Sequence, residues 1–379
     1  MKSKPFGKAL QVLALVICAG TLFARTASAL PERDGEPADQ ASEPAPSPES
    51  IAASAPDAAD LANRVDVSGL PGNDVQWGTR AHVYPWQAPT GLTDPRFSSN
   101  GDSPASGPNL DGFSGTGPVP LARANAHTLT YYGGPVISNV NVVKVNYGTG
   151  TYQSYVSGTG SGTMSAFFNG IVGSPYFGWL NSNYKTPTQT IGNGSYGGNY
   201  TITPSAANNG ATIDDTNIQA ELVAQINAGH LPAATKNSLY FVYFPKGKKI
   251  TQGGSPSCAA GGFCAYHGTI KAAAVPGGYL FYAVMPDNST GSGCDSGCGT
   301  STPYNNWCSV SSHELIEAVT DAGVGVATTY ASPLAWYNKT YGEIGDICNA
   351  QQATVVGTDG VTYTVQKEWS NSTNTCRSQ

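Results

Sequence analysis

The sequence predicts an α+β fold: a single disulfide-containing domain with a central mixed sheet, spanning residues 126–379 and preceded by a disordered acidic N-terminal spacer. Two observations carry this expectation. Strand-like and helix-like stretches follow one another from Tyr131 in the order strand, helix, helix, strand, strand, helix, with no repeat of fixed period. All cysteines except Cys18 fall in the last third of the chain, where an oxidising compartment would pair them.

The N-terminus reads as an export signal over residues 1–29. Lys2, Lys4 and Lys8 form a positive start, "ALQVLALVICAGTLF" is the apolar segment, and "TASA" places small residues before a cleavage point after Ala29. The apolar run is too short for a membrane span. Residues 30–65 are rich in Pro, Ala, Ser, Glu and Asp and lack aromatic anchors. They cannot bury enough apolar area to offset chain entropy, so a disordered spacer is expected. Residues 66–125 scatter Trp77, Tyr84, Trp86 and Phe113 among Gly, Pro and Ser, which suggests a loosely structured arm or a propeptide-like segment.

Within the domain, "PVISNVNVVKVNYG" alternates apolar and polar residues as a strand does. "GTMSAFFNGIVGSPYFGWLNSNY" has helical character with a break at Gly173 to Pro175. In "DDTNIQAELVAQINAGHLP", Asp214 or Asp215 caps a helix, Ile218, Leu222 and Ile226 repeat at helical spacing, and Gly229 and Pro232 end it. "SLYFVYFP" and "YLFYAVMPD" are short buried-strand candidates, and "TDGVTYTVQKEWS" resembles a hairpin. Cys348 and Cys376 flank that hairpin and are expected to pair; Cys258 and Cys264 are expected to form a second, short bridge. With seven cysteines after the signal, one is left over. The cluster "CDSGCGTSTPYNNWC" also admits a zinc site, although export favours disulfides.

Charged residues make up only 12% of the chain, and net charge is −6 with no basic cluster beyond the first residues. Nucleic acid is therefore not an expected partner. A low-charge surface built from Ser, Thr, Asn, Gly and Tyr fits a secreted, extracellular protein, expected to be a monomer.

The stretch "SSHELIEAVTD" concentrates the chemistry. On a helical wheel, Cys308, Leu315, Ala318 and Val319 share one arc, and His313, Glu314, Glu317 and Asp321 share the other. One reading is structural: Ser311-x-x-Glu314 forms a capping box and His313/Glu317 a solvated i,i+4 pair. The other is a metal site. Residues at i and i+4 reach one ion, as in H-E-x-x-H helices, where the glutamate after the first ligand is the general base. Here Glu317 stands at the second ligand position. Downstream, "YGEIGDIC" offers Glu343 or Asp346 to complete the site, a spacing that resembles thermolysin-like zinc peptidases. Among five histidines, His267 in "CAYHG" is a further ligand or oxyanion-stabilising candidate. His82, His127 and His230 have no such context.

Together, "YYGGPVISNVNVVKVNYG", "FCAYHG", "VSSHELIEAVTD" and "GEIGDICNA" resemble, in this order, segments of the secreted EXORDIUM-like (phosphate-induced protein) family. The resemblance spans Tyr131 to Cys348 and implies an extracellular, cell-wall-associated protein. Two functions are expected from the whole. The first is a zinc-dependent, peptidase-like hydrolase with a zincin-like helix, metal ligands His313, Glu317 and Glu343 or Asp346, and catalytic Glu314 and His267. The second is a non-enzymatic extracellular protein that binds a peptide or cell-wall component and keeps a structural metal or carboxylate site. Calcium is the alternative ion, because carboxylate oxygens dominate the cluster.

Overall fold

The computed structural model describes residues 127–379 other than 273 and 274, together with the backbone of His82–Pro85. The expected signal peptide, acidic spacer and remainder of the arm lie outside the described residues. Alternation in "NVVKVNY" becomes a strand at the heart of a mixed sheet. Its strands are β1 (His82–Pro85), β2 (Asn141–Tyr147), β3 (Ser195–Ile202), β4 (Ser238–Tyr243), β5 (Phe263–Lys271) and β6 (Tyr279–Met285). The spatial order is β1-β5-β6-β4-β2-β3. β3, β2, β4 and β6 run parallel; β5 is antiparallel to β6, and β1 is antiparallel to β5. An α+β fold with a mixed sheet is therefore present.

Both faces of the sheet are covered. Successive side chains of a strand point to opposite faces. Leu239, Phe241 and Tyr243 join the core formed with helices α1 (Met164–Ile171) and α3 (Pro303–Thr320), while Tyr240 and Val242 pack with Ile218 and Leu222 of α2 (Asp215–Asn227). α2 starts where expected. Asp214 caps it in a reciprocal box with Asn217, and Gly229 takes φ +74 just past its end. The expected 162–184 helix is three pieces, Met164–Ile171, Pro175–Gly178 and Leu180–Tyr184, interrupted where Ser174 caps the second and Pro175 opens it.

Three expectations need correction. α3 begins at Pro303, with Thr302 accepting from the Asn305 amide, so Ser311 lies inside the helix and its capping box does not form. Its hydroxyl instead meets Tyr243 Oη at 2.9 Å in the core. The C-terminal hairpin pairs β7 (Gln352–Val356) with β8 (Thr362–Gln366) and turns at 357–361, while β9 (Glu368–Ser370) pairs with β10 (Thr375–Arg377).

The third correction concerns cysteines. Cys348–Cys376 forms as expected, but Cys258 and Cys264 do not pair with each other. Cys258 bonds Cys294 and Cys264 bonds Cys298, because the short helix Cys294–Gly297 lies across both of them. With these sulfurs oxidised, no thiolate zinc site forms in 294–308. Among the described residues Cys308 alone is unpaired; it is buried on α3, and burial pushes its thiol pKa upward. No helix of the described residues is long and apolar enough to cross a membrane. The three bridges fit a protein that matures in an oxidising compartment.

Candidate metal centre

α3 is buried nearly throughout, and its polar arc faces inward rather than to solvent. His313, Glu314 and Glu317 have no measurable exposure. The i,i+4 spacing brings His313 Nε2 to 3.1 Å from Glu317 Oε2. β5, antiparallel beside β6, supplies His267 to the same place. Its Nδ1 lies 3.2 Å from Glu314 Oε2 and 3.6 Å from Glu317 Oε2, and its Nε2 lies 3.5 Å from Glu343 Oε2.

Glu343 arrives on a tight turn. Asp346 Oδ2 accepts from the Glu343 amide at 2.9 Å, and the Asp346 amide donates to Glu317 Oε1 at 3.1 Å. The Cys348–Cys376 bridge ties the end of that turn to β10. Gly345 is needed for the approach, since a Cβ there would sit 2.5 Å from His313 Nδ1 and 2.9 Å from Glu317 Oε1.

Two overlapping trios can each share an ion: His267, Glu317 and Glu343, or His313, Glu314 and Glu317, with all donor atoms of a trio within 4.8 Å of one another. Asp346 belongs to neither and shapes the turn. No hydrogen bond satisfies His267 Nε2 or Glu314 Oε1, and Glu317 Oε2 meets His313 Nε2 at 3.1 Å, although all three residues are buried. Unpaired buried oxygens are costly, and a cation is the simplest compensation for this set.

His313 is held by a residue the sequence reading missed. Gln366 Nε2 donates to His313 Nδ1 at 2.7 Å and to the Gly345 carbonyl at 2.9 Å, while Gln366 Oε1 accepts from the Ala350 amide at 3.1 Å. Turning the amide over would lose the last two bonds to improve none but the first. Nδ1 is therefore an acceptor and the imidazole proton sits on Nε2, facing Glu317. A protonated nitrogen cannot coordinate, so His267, Glu317 and Glu343 are the better trio and His313 orients Glu317. Two influences meet at His313. Burial lowers its pKa, and Glu317, then Glu314 and Asp346, outweigh burial and draw it up to about 10. A second proton would nevertheless point at the Gln366 NH2 group, so we assign the neutral form.

At His267, burial also lowers the pKa, and in the metal-free protein Glu343 and Glu314 outweigh it, carrying it well above the usual range; an ion at this imidazole would take the place of a proton. Burial raises Glu314, opposed by His267 and His313. Glu368, likewise missed, is raised well above the usual range, chiefly by burial. Geometry agrees: Tyr176 Oη lies 2.7 Å from both the Gln366 carbonyl oxygen and Glu368 Oε1. One hydroxyl proton cannot serve both acceptors, so Glu368 is protonated and donates to Tyr176. Gln366 and Glu368 flank Lys367 at a strand end and resemble surface polarity; no signal in one sequence marks them.

Of the other histidines, His127 and His230 make contacts of their own. His127 packs its ring 4.2 Å from Tyr341, and His230 Nδ1 meets Gln225 Oε1 at 2.8 Å beside the end of α2. Comparison of the chain with protein-family models, with curated proteins and with solved structures finds no significant match to any of the three.

Proposed function

We propose that the protein is an exported hydrolase that uses a divalent metal ion, zinc by preference, to cleave peptides. Its ligands are His267, Glu317 and Glu343, and the EXORDIUM-like resemblance belongs to the same proposal. The observation that carries it is the convergence of these fully buried side chains from β5, α3 and the 343–346 turn onto one point. One imidazole with two carboxylates suits a three-ligand zinc site with an open position. Calcium, which prefers six or more oxygens, is less well served by a set that includes His267.

A bound ion would supply Lewis acidity and acidify a water molecule. Glu314 is then the general base. It follows His313 on the same helix, its Oε1 has no hydrogen-bond partner, and burial raises its pKa toward the range useful for proton transfer. Its Oε2 leans on His267 Nδ1, which fixes its orientation. His313, braced by Gln366, keeps Glu317 turned toward the centre.

One observation favours a second reading, a binding protein with a structural ion. Every side chain of the cluster named as ligand or base is at most 1% exposed. Metal content by mass spectrometry and peptide hydrolysis separate the two. The purified protein is expected to hold about one ion per chain, and His267→Ala and Glu343→Gln to lose it. Glu314→Gln is expected to keep the ion and abolish hydrolysis. Ion-free wild-type protein would sink both readings, whereas an inert but metal-loaded wild type would leave the structural one.

A further inference from the structure

Strand β1 stands apart from the rest of the sheet. It has four residues, lies upstream of the main body of described residues, which begins at His127, and pairs with β5 alone. β5 is the strand that carries His267, and the antiparallel register sets His82 opposite His267, Val83 opposite Tyr266 and Tyr84 opposite Ala265. β1 also approaches α3, the helix that carries Glu314 and Glu317. It therefore closes the edge between the two elements that build the candidate centre. Without β1, β5 would be an edge strand, with a free row of backbone donors and acceptors running past His267.

We propose that this edge of β5 is the docking site for an extended peptide, and that residues 82–85 occupy it in cis as a self-inhibitory strand. The inference rests on the peptide-hydrolase reading above and names how its substrate is held. A sheet edge recognises a partner strand by main-chain hydrogen bonds, largely independent of side-chain identity. In this arrangement the chain's own segment takes the ladder positions on β5 that an extended substrate would need in order to run past His267. Displacement or proteolysis of the segment would open the edge.

The test uses the full chain with a specific protease site placed in 86–126. After cutting and removal of the released fragment, amide exchange is read across β5, and binding of a labelled peptide of residues 79–88 is read by anisotropy. Exchange at 263–267 is expected to accelerate about tenfold or more and to slow again on adding the peptide. A Val83→Pro/Tyr84→Pro peptide, which lacks a ladder donor in either pairing phase, is expected to bind at least about tenfold more weakly. If the cut fragment stays bound through washing, if β5 exchange is unchanged, or if the cut protein unfolds by circular dichroism, β1 is an integral strand and the proposal is overturned. Metal content is measured on the same samples, so an ion-free protein that still binds the peptide counts against the metal reading alone.

Discussion

Gln366 sets the tautomer of His313 from β8, outside the acidic cluster. Its Nε2 donates to His313 Nδ1 at 2.7 Å, which leaves the imidazole proton facing Glu317. Replacing Gln366 by Leu strands a fully buried imidazole nitrogen and the Gly345 carbonyl. Denaturant unfolding should show a loss of about 1–3 kcal/mol for such an unsatisfied group. If His313 acts only by orienting Glu317, the same variant should also weaken metal binding without removing any ligand.

Gly345→Ala tests the approach of the 343–346 turn. The added methyl carbon would come within 2.5 Å of His313 Nδ1, which Gln366 prevents from swinging aside. Overpacking of this kind costs about 1–3 kcal/mol, and metal content should drop with it. Unchanged melting and unchanged metal content would show that the turn has more freedom than its contacts suggest.

Glu368 gives a pH dependence whose sign can be worked out. Its folded pKa lies above the ordinary value of 4.5. The folded state then binds more protons than the unfolded state as pH rises past the unfolded pKa, so stability falls with pH in that window. Glu368→Gln removes the titrating group and keeps a donor for Tyr176. In the metal-free protein, the variant should gain on wild type as pH climbs from about 4.5, the ordinary carboxyl value. A parallel pair of stability curves would refute the protonated assignment.

Removing the Cys348–Cys376 bridge by double alanine substitution opens a loop with a sequence separation of 28. The chain-entropy estimate for such a loop is a loss of about 3–4 kcal/mol, read by thermal or denaturant unfolding. Because the bridge also anchors the turn that presents Glu343, metal affinity is expected to fall further than stability alone accounts for.

Local signals in the chain led to β2, β4, β6 and α2, because each carries its own periodicity or cap. The Asp214 cap and the Gly229 stop needed no tertiary context. α3 was legible in its middle and not at its start, although "STPYNN" holds a threonine cap and a proline at the first helical position. The polar arc of α3 admits both a solvated pair and a metal-ligand face, because a wheel cannot tell water from a buried cluster of histidine and carboxylates. β5 went unassigned, although "FCAYHG" supplied His267 as a candidate. The convergence of His267 with Glu317 and Glu343 depends on the antiparallel placement of β5, a long-range pairing with no local signature. Gln366 and Glu368 reach the centre only through the hairpin. The short Cys258–Cys264 bridge failed for a similar reason: nearness in sequence was outweighed by a helix lying across both residues.

Cys308 carries a practical consequence. It is the one thiol among the described residues outside a disulfide, it is fully buried in the helix that bears the centre, and burial keeps it protonated. A thiolate is the reactive form, so alkylating reagents should pass the native molecule by and label it only when α3 separates from the sheet. The protein thus contains its own unfolding clock: the rate at which iodoacetamide consumes Cys308 reports how often the helix of His313, Glu314 and Glu317 lifts away, with no probe introduced.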